Sequence, residues 1–172
     1  TETGVLHFSY GHFLQIPTLN LMFANYGYKI PNNSGQYGPY GNPDLNAQRT
    51  VMYEIGFRQG LGPYRFDITA YARDVRDWVS TSVPIETEIP GVVYVIYTNR
   101  DYASTRGVTA TLSRRFEGGW GFDLSYTYQV AEGSNSNPDE EFFARLSNQQ
   151  TSLQLLPLDW DQRHKVAAAF YL

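Results

Sequence analysis

Trp120-Gly121-Phe122-Asp123-Leu124-Ser125-Tyr126-Thr127-Tyr128-Gln129-Val130-Ala131 alternates large apolar residues with small or polar ones at a period of two. Successive side chains of an extended strand point to opposite faces, so this stretch has one apolar and one polar face. Working upstream, Glu117-Gly118-Gly119 is a short glycine-rich link of hairpin type. Before it, Val108, Ala110, Leu112 and Phe116 alternate with Gly107, Thr109, Thr111, Ser113 and Arg115, with Arg114 interrupting the apolar face.

The same pattern recurs earlier. Val51, Tyr53, Ile55 and Phe57 share one face, and Thr50, Met52, Glu54, Gly56 and Arg58 the other. Gly60-Leu61-Gly62-Pro63 then reads as a tight turn, after which Phe66, Ile68, Ala70 and Ala72 alternate with Arg65, Asp67, Thr69, Tyr71 and Arg73. This strand runs on toward Trp78, with its phase blurring beyond Asp74. Residues 5–13 and 164–172 complete a set of six, the last with Val166, Ala168, Phe170 and Leu172 on its apolar face. The links fall into two kinds: tiny turns after Phe57 and Phe116, and long segments at 14–48, 80–91 and 133–161. In an up-and-down sheet every second link lies at the same end, so all the long ones gather at one end. That is the form of a transmembrane β-barrel, whose strands of about ten residues face lipid on one side and a polar lumen on the other.

Composition narrows the classes. Of 172 residues, 16% are aromatic and 17% charged, with 14 Tyr and 10 Phe. Disordered chains show the reverse balance. No apolar run approaches the roughly 20 residues of a spanning helix. The absence of Cys excludes disulfide frameworks and thiolate chemistry. A formal charge of −4 without a basic stripe argues against nucleic acid. The start, Thr1-Glu2-Thr3-Gly4, has neither an initiator Met nor a signal-peptide pattern, so a mature, cleaved or excised chain is expected. A soluble antiparallel protein also alternates. The polar faces here, rich in Thr, Ser, Gln, Tyr and Gly and poor in Lys and Glu, suit a crowded lumen better. Phe116 and Trp120 beside a short turn, and Trp78, Tyr94 and Tyr97 toward the long links, read as aromatic girdles at two bilayer interfaces.

Four motifs carry a resemblance. Gly41-Asn42-Pro43-Asp44-Leu45 with Thr50, Glu54 and Gly56 resembles the strand-opening element of TonB-dependent receptors of Gram-negative outer membranes. Asn99-Arg100-Asp101, Ala103 and Gly107-Val108 resemble the family's "N-x-x-x-A-x-x-x-G-V-E" strand, with Thr109 at the Glu position. Asp159-Trp160-Asp161-Gln162-Arg163-His164 resembles its "DxDQRH" segment. Phe13-Leu14-Gln15-Ile16-Pro17 is similar to its "F-x-Q-I-P" stretch, especially in receptors with a carboxypeptidase-regulatory-like N-terminal domain. Where the family has a Lys/Pro-Glu pair, this chain has Asn46-Ala47-Gln48-Arg49. The resemblance implies an all-β fold in which residues 1–172 form about six of some 22 antiparallel barrel strands, from the later half of the barrel and without the plug domain. It implies a fragment of an outer-membrane transporter for a scarce solute such as a siderophore, glycan or peptide. Outer-membrane lipid and an extracellular ligand would be its partners, TonB would act only through the absent plug, and a partner lipoprotein or other surface protein is possible. A non-transporting adhesion barrel and a soluble β-barrel or sandwich binding module stay open beside it.

Residue chemistry points to binding rather than catalysis. No nucleophile elbow, phosphate loop or zinc-protease helix occurs, and no cofactor is expected. His7 and His12 are spaced for opposite strand faces, which is poor for shared metal ligation. Asp139-Glu140-Glu141 reads as a solvated acidic loop, with cation binding the less expected use. Asp161 and Arg163, two apart, read as a structural ion pair. Pro43 fixes φ, and Asp44 is expected to bond nearby amides and steer the chain into a strand. Residues 25–41, rich in Tyr, Asn and Gly, form the candidate ligand loop, because Tyr offers rigid stacking surface and Asn and Gly adaptable hydrogen bonding. Tyr26, Tyr28, Tyr37 and Tyr40 are the expected ligand contacts. Arg58, Arg65 and Arg73 offer lumenal charge, with pairing to Glu54 and Asp67 explaining them equally well.

Overall fold

The computed structural model describes residues 4–149 and 155–172; Thr1, Glu2, Thr3 and segment 150–154 of the last long link lie outside them. The order is β1 (Val5–Gln15), α1 (Leu19–Phe23), β2 (Gly35–Tyr40), β3 (Gln48–Leu61), β4 (Tyr64–Thr81), β5 (Ile85–Glu86), β6 (Val92–Glu117), β7 (Trp120–Gly133), α2 (Glu140–Leu146), β8 (Leu156–Pro157) and β9 (His164–Tyr171). The six expected strands form one open antiparallel sheet, β1-β3-β4-β6-β7-β9. The three further strands are short and belong to the long links. β2 pairs in parallel, and β5 antiparallel, with the first residues of β6, and β8 continues the β7 edge beyond β9.

Register puts the alternating faces together. Phe8, Ile55, Ala70, Val108 and Tyr128 lie in one line across five strands, and Ile68, Ala110, Tyr126 and Val166 in the next. On the opposite face the line is Val5, Arg58, Asp67, Thr111, Ser125 and Ala167. A slip of one residue would invert this arrangement along a whole strand. Two hairpin turns fix the register. Gly62 at φ +59 precedes Pro63, the pattern of a type II′ turn, and Gly118 and Gly119 at φ +65 and +83 supply the two positive angles of type I′. Small residues make room for large neighbours on the polar face. A Cβ on Gly107 would lie 2.6 Å from the Tyr71 hydroxyl, which crosses that glycine to donate to Gln129 Oε1 at 2.9 Å.

Both sheet faces are largely exposed, and the buried residues gather at the long-link end. Leu45, Val79 and Tyr97 form one cluster, with Leu21, Met22 and Ala24 of the first link packed on it. Ala103, Ala131 and Leu158 form a second, with Val75 and Trp78 against it. This inversion of a soluble domain follows if the sheet meets lipid on one face and a lumen on the other, leaving only the loop end to make a conventional core. β4 and β6 exceed the expected ten residues because they continue past the band to carry these loops.

One local expectation is explained and another corrected. The blurred phase beyond Asp74 is a register shift between Val75 and Trp78, with Asp77 at φ +57. The shift turns Trp78 to the polar side, where it stacks on Trp160 at 5.5 Å. Tyr97 is buried and Tyr94 packs edge-on against Tyr40 at 6.3 Å. Trp78, Tyr94 and Tyr97 are therefore not the girdle at that end. The apolar face there carries Tyr10, Tyr53, Tyr126, Tyr128 and His164 instead, Tyr10 and Tyr53 packing at 5.0 Å. At the turn end, Trp120, Phe122 and Phe170 pack in succession and Arg114 lies 3.7 Å over Trp120.

Candidate ligand site at the loop end

The long links are fastened by the motif residues. Asn42 Oδ1 accepts the Asp44 N–H at 3.0 Å while its Nδ2 donates to the Tyr97 carbonyl at 2.9 Å. Asn42, and not Asp44 as the sequence suggests, thus bonds the amide that shapes the turn, because its amide can accept locally and donate across to β6. Gly41 sits where a Cβ would come within 2.5 Å of the Ala24 nitrogen and Met22 oxygen, so the chain passes flush over the α1 link and Leu45 enters the core. Asn99 joins three segments: it donates to the carbonyls of Asp77 at 2.6 Å and Asn46 at 3.1 Å, and accepts the Asn46 N–H at 2.7 Å. Asp161 accepts the Ala131 N–H at 2.8 Å and pairs with Arg163 at 2.6 Å, the structural ion pair read from their spacing.

On this frame β2 holds Tyr37 and Tyr40, and the link before it holds Tyr26 and Tyr28. Tyr28, Tyr37 and Tyr40, with Asn25, Gln36 and Gly38, line a cavity of about 210 Å³. Tyr28 and Tyr40 face each other at 6.3 Å. Tyr37 donates to the Asn33 carbonyl and Asn25 to the Pro39 carbonyl, both at 2.9 Å, which fixes the walls. Tyr26 is separate from this group, 90% exposed to solvent. Gln36 Nε2 and the Tyr40 hydroxyl are buried without a protein partner. Burial, followed by the proximity of Tyr28 and Tyr37, raises the Tyr40 pKa, so its hydroxyl stays protonated as a neutral donor. Sequence alone could not find Gln36, since one Gln in a polar loop has no distinguishing pattern.

The remaining candidates lie away from this cavity. Arg58 pairs with Asp67 at 2.6 Å on the polar face. Arg73 lies 4.0 Å from the Met52 sulfur, and Arg65 borders a cavity at the turn end with Arg114 and Arg115. His7 stands 3.4 Å from Glu54 on the polar face, while His12 contacts Tyr10 on the other. The acidic segment is solvated only in part: Glu140 is exposed, while Glu141 is buried. Asp139 accepts the Tyr97 hydroxyl at 2.6 Å and Glu140 the Ser136 N–H at 2.7 Å. Glu141 is buried between Arg100, at 3.3 Å, and Arg145, with Ser80 donating at 3.5 Å. Its carboxylate needs these cations because burying an unpaired charge is prohibitive. Arg145 also donates to the Ser82 carbonyl at 2.7 Å, so α2 is latched across β4 and β6.

An open antiparallel sheet, apolar on one face and polar on the other, with short turns at one end and a packed loop layer at the other, is a wall sector of a membrane β-barrel. The chain belongs to the family described as TonB dependent receptor-like, beta-barrel, whose pattern matches residues 1–171, and it is accordingly part of a Gram-negative outer-membrane barrel. Among solved structures, the outer membrane transporter YddB from Escherichia coli is similar with a TM-score of 0.67 and 11% identity. The match covers 98% of this chain and 24% of YddB. The copper transporter OprC is similar with a TM-score of 0.49 and 17% identity, covering 81% of this chain and 19% of OprC. This chain therefore spans about a quarter or less of either transporter.

Proposed function

We propose that the chain is one sector of the wall, with its outer loops, of a TonB-dependent transporter that captures a scarce solute outside the cell. The observation that carries this is the cavity lined by Tyr28, Tyr37 and Tyr40, held at the outer end of a polar sheet face. A solute bound there leaves into a lumen lined by Thr, Ser, Gln and charged side chains. Closing the larger barrel requires strands beside β1 and β9, each of which pairs on one side only among the described residues; unpaired edges are not tolerated in lipid. The plug and TonB coupling belong to other parts of the receptor.

The test follows solute depletion from the medium, by untargeted mass spectrometry, in cells carrying the intact receptor. Depletion of particular solutes is expected, lost without TonB and reduced at least about tenfold in a Tyr28→Ala/Tyr37→Ala/Tyr40→Ala variant. Undiminished depletion without TonB would sink the transport reading in favour of a passive or adhesive barrel. Undiminished depletion in the triple variant would remove the tyrosines from the ligand site.

A further inference from the structure

Arg73 stands on the polar face of β4, in line with Met52 of β3 and Gly11 of β1. Among the described residues its side chain has one polar contact, the Met52 sulfur at 4.0 Å. The carboxylates of β3 and β4 on that face are engaged elsewhere, Glu54 with His7 at 3.4 Å and Asp67 with Arg58 at 2.6 Å. Asp74, next along the strand, points to the other face. Arg73 is therefore a lumenal cation without a counter-charge among the described residues, and such a group favours an incoming anion.

Arg73 borders a cavity of about 420 Å³, a size at which pockets take small molecules. Gln15 and Gln48, directly opposite each other on β1 and β3, line it with the Thr50 hydroxyl. None of these three side chains is hydrogen-bonded among the described residues, so their donors and acceptors are available. Apolar surface lies beside the cation. A Cβ on Gly11 would lie 2.9 Å from the Phe13 ring, which thus folds back over that glycine toward Met52 and Arg73. Trp78 adds a second aromatic wall, held by its stack on Trp160 at 5.5 Å. The cavity also lies on the inward route. β4 ends at Thr81, and β2 pairs with β6 beyond that end, so the tyrosine cavity is farther out along the sheet than Trp78 and Arg73.

We propose that this cavity binds the C-terminal end of a short peptide with a free carboxylate and an apolar last residue, which makes such peptides the solute class; the proposal rests on the reading of the chain as a transporter wall. Arg73 donates both arms of its guanidinium fork to the carboxylate. The Gln15 and Gln48 amides, each able to donate and accept, pair with the last peptide group. The last side chain lies against Phe13, Met52 and Trp78. A neutral solute such as an uncharged glycan would strip water from Arg73 and leave its charge uncompensated, which is costly.

The test is peptide retention by the intact receptor, purified in mild detergent and mixed with tripeptides ending in Leu or Phe, either as free acids or as C-terminal amides. Retained peptide is measured by ultrafiltration and mass spectrometry, with empty micelles as the blank. The free acids are expected to be retained at least about tenfold more than the amides, the scale of a charge-assisted hydrogen-bonded pair. In Arg73→Gln that preference is expected to vanish while retention of the amides stays as in the unmodified receptor, an outcome a misfolded variant cannot give. Arg73→Lys, which keeps the charge but loses the fork, is expected to fall between. Arg65→Gln, on the same face and strand at the turn end, is the charge-matched control and is expected to change nothing. Equal retention of acids and amides by the unmodified receptor, as when a carboxylate of the plug already holds Arg73, would overturn the proposal, and so would an undiminished preference in Arg73→Gln or no retention of either form. Binding to purified receptor needs no TonB, so these failures are distinct from failure of the transport reading, which shows as TonB-independent depletion in cells.

Discussion

Asn99 and Asn42 show how much of the loop layer depends on single amide side chains. Each satisfies backbone groups of segments far apart in sequence, and truncating either leaves partly buried donors and acceptors unpaired. Asn99→Ala is expected to destabilise the loop layer by about 1–3 kcal/mol; faster amide hydrogen exchange around Asn46 and Asp77, with the sheet unchanged, would be the readout. Gly107 illustrates the steric counterpart. A methyl group there must displace Tyr71 and meets the Tyr128 carbonyl at 2.8 Å, so Gly107→Ala is expected to cost about 1–3 kcal/mol in urea unfolding of the intact receptor. Ala103 and Gly107 fall on one strand face because they are four apart, whereas a register shift between Trp78 and Val79 separates Asn99 from that face. The spacing is legible in sequence. The shift is not, nor is the aromatic ring over Gly107, which comes from β4, 36 residues away.

At the scale of elements, the faces of β7 behave as two environments. Leu124 lies midway between Trp120 and Tyr128 on the apolar side, and Leu124→Arg is expected to cost about 2–4 kcal/mol. Ser125→Lys, one residue on and facing the polar side, is expected to leave membrane assembly nearly unchanged, as heat-dependent gel mobility would register. Equal effects would mean that the sheet does not separate lipid from lumen. The α2 latch gives a pH prediction. Burial and the hydrogen bond to Asp139 raise the Tyr97 pKa above the ordinary tyrosine value of 10.0. A raised folded value means that the stabilisation is complete below about pH 10 and is lost as pH rises above it. Trypsin cleavage after Arg145 should accelerate above that pH, and the pH dependence should disappear in Tyr97→Phe.

For the whole molecule, the loop layer and the sheet are separable in function but not in packing. Removing residues 25–41 entirely would strip β2 from β6 and expose Val95, which is fully buried. Deletion is therefore expected to lower receptor yield in the membrane, whereas the triple Tyr→Ala substitution should leave yield unchanged and affect solute uptake alone. Comparing membrane yield with uptake in the two variants distinguishes a binding surface from a structural prop.

By itself the sequence determined the six sheet strands, their two faces, the hairpin turns and the end at which the loops collect, because a period of two and a Gly-Gly or Gly-Pro turn are local properties. It also presented Tyr28, Tyr37 and Tyr40 as candidates through composition. Only the tertiary structure decided that Tyr26 stands apart, that Gln36 joins the other three, that Trp78 faces the polar side through a register shift, and that Glu141 is buried between two arginines. Each of these depends on which distant segment arrives alongside. Strand pairing across long links sets that partner, and no periodicity within either segment encodes it.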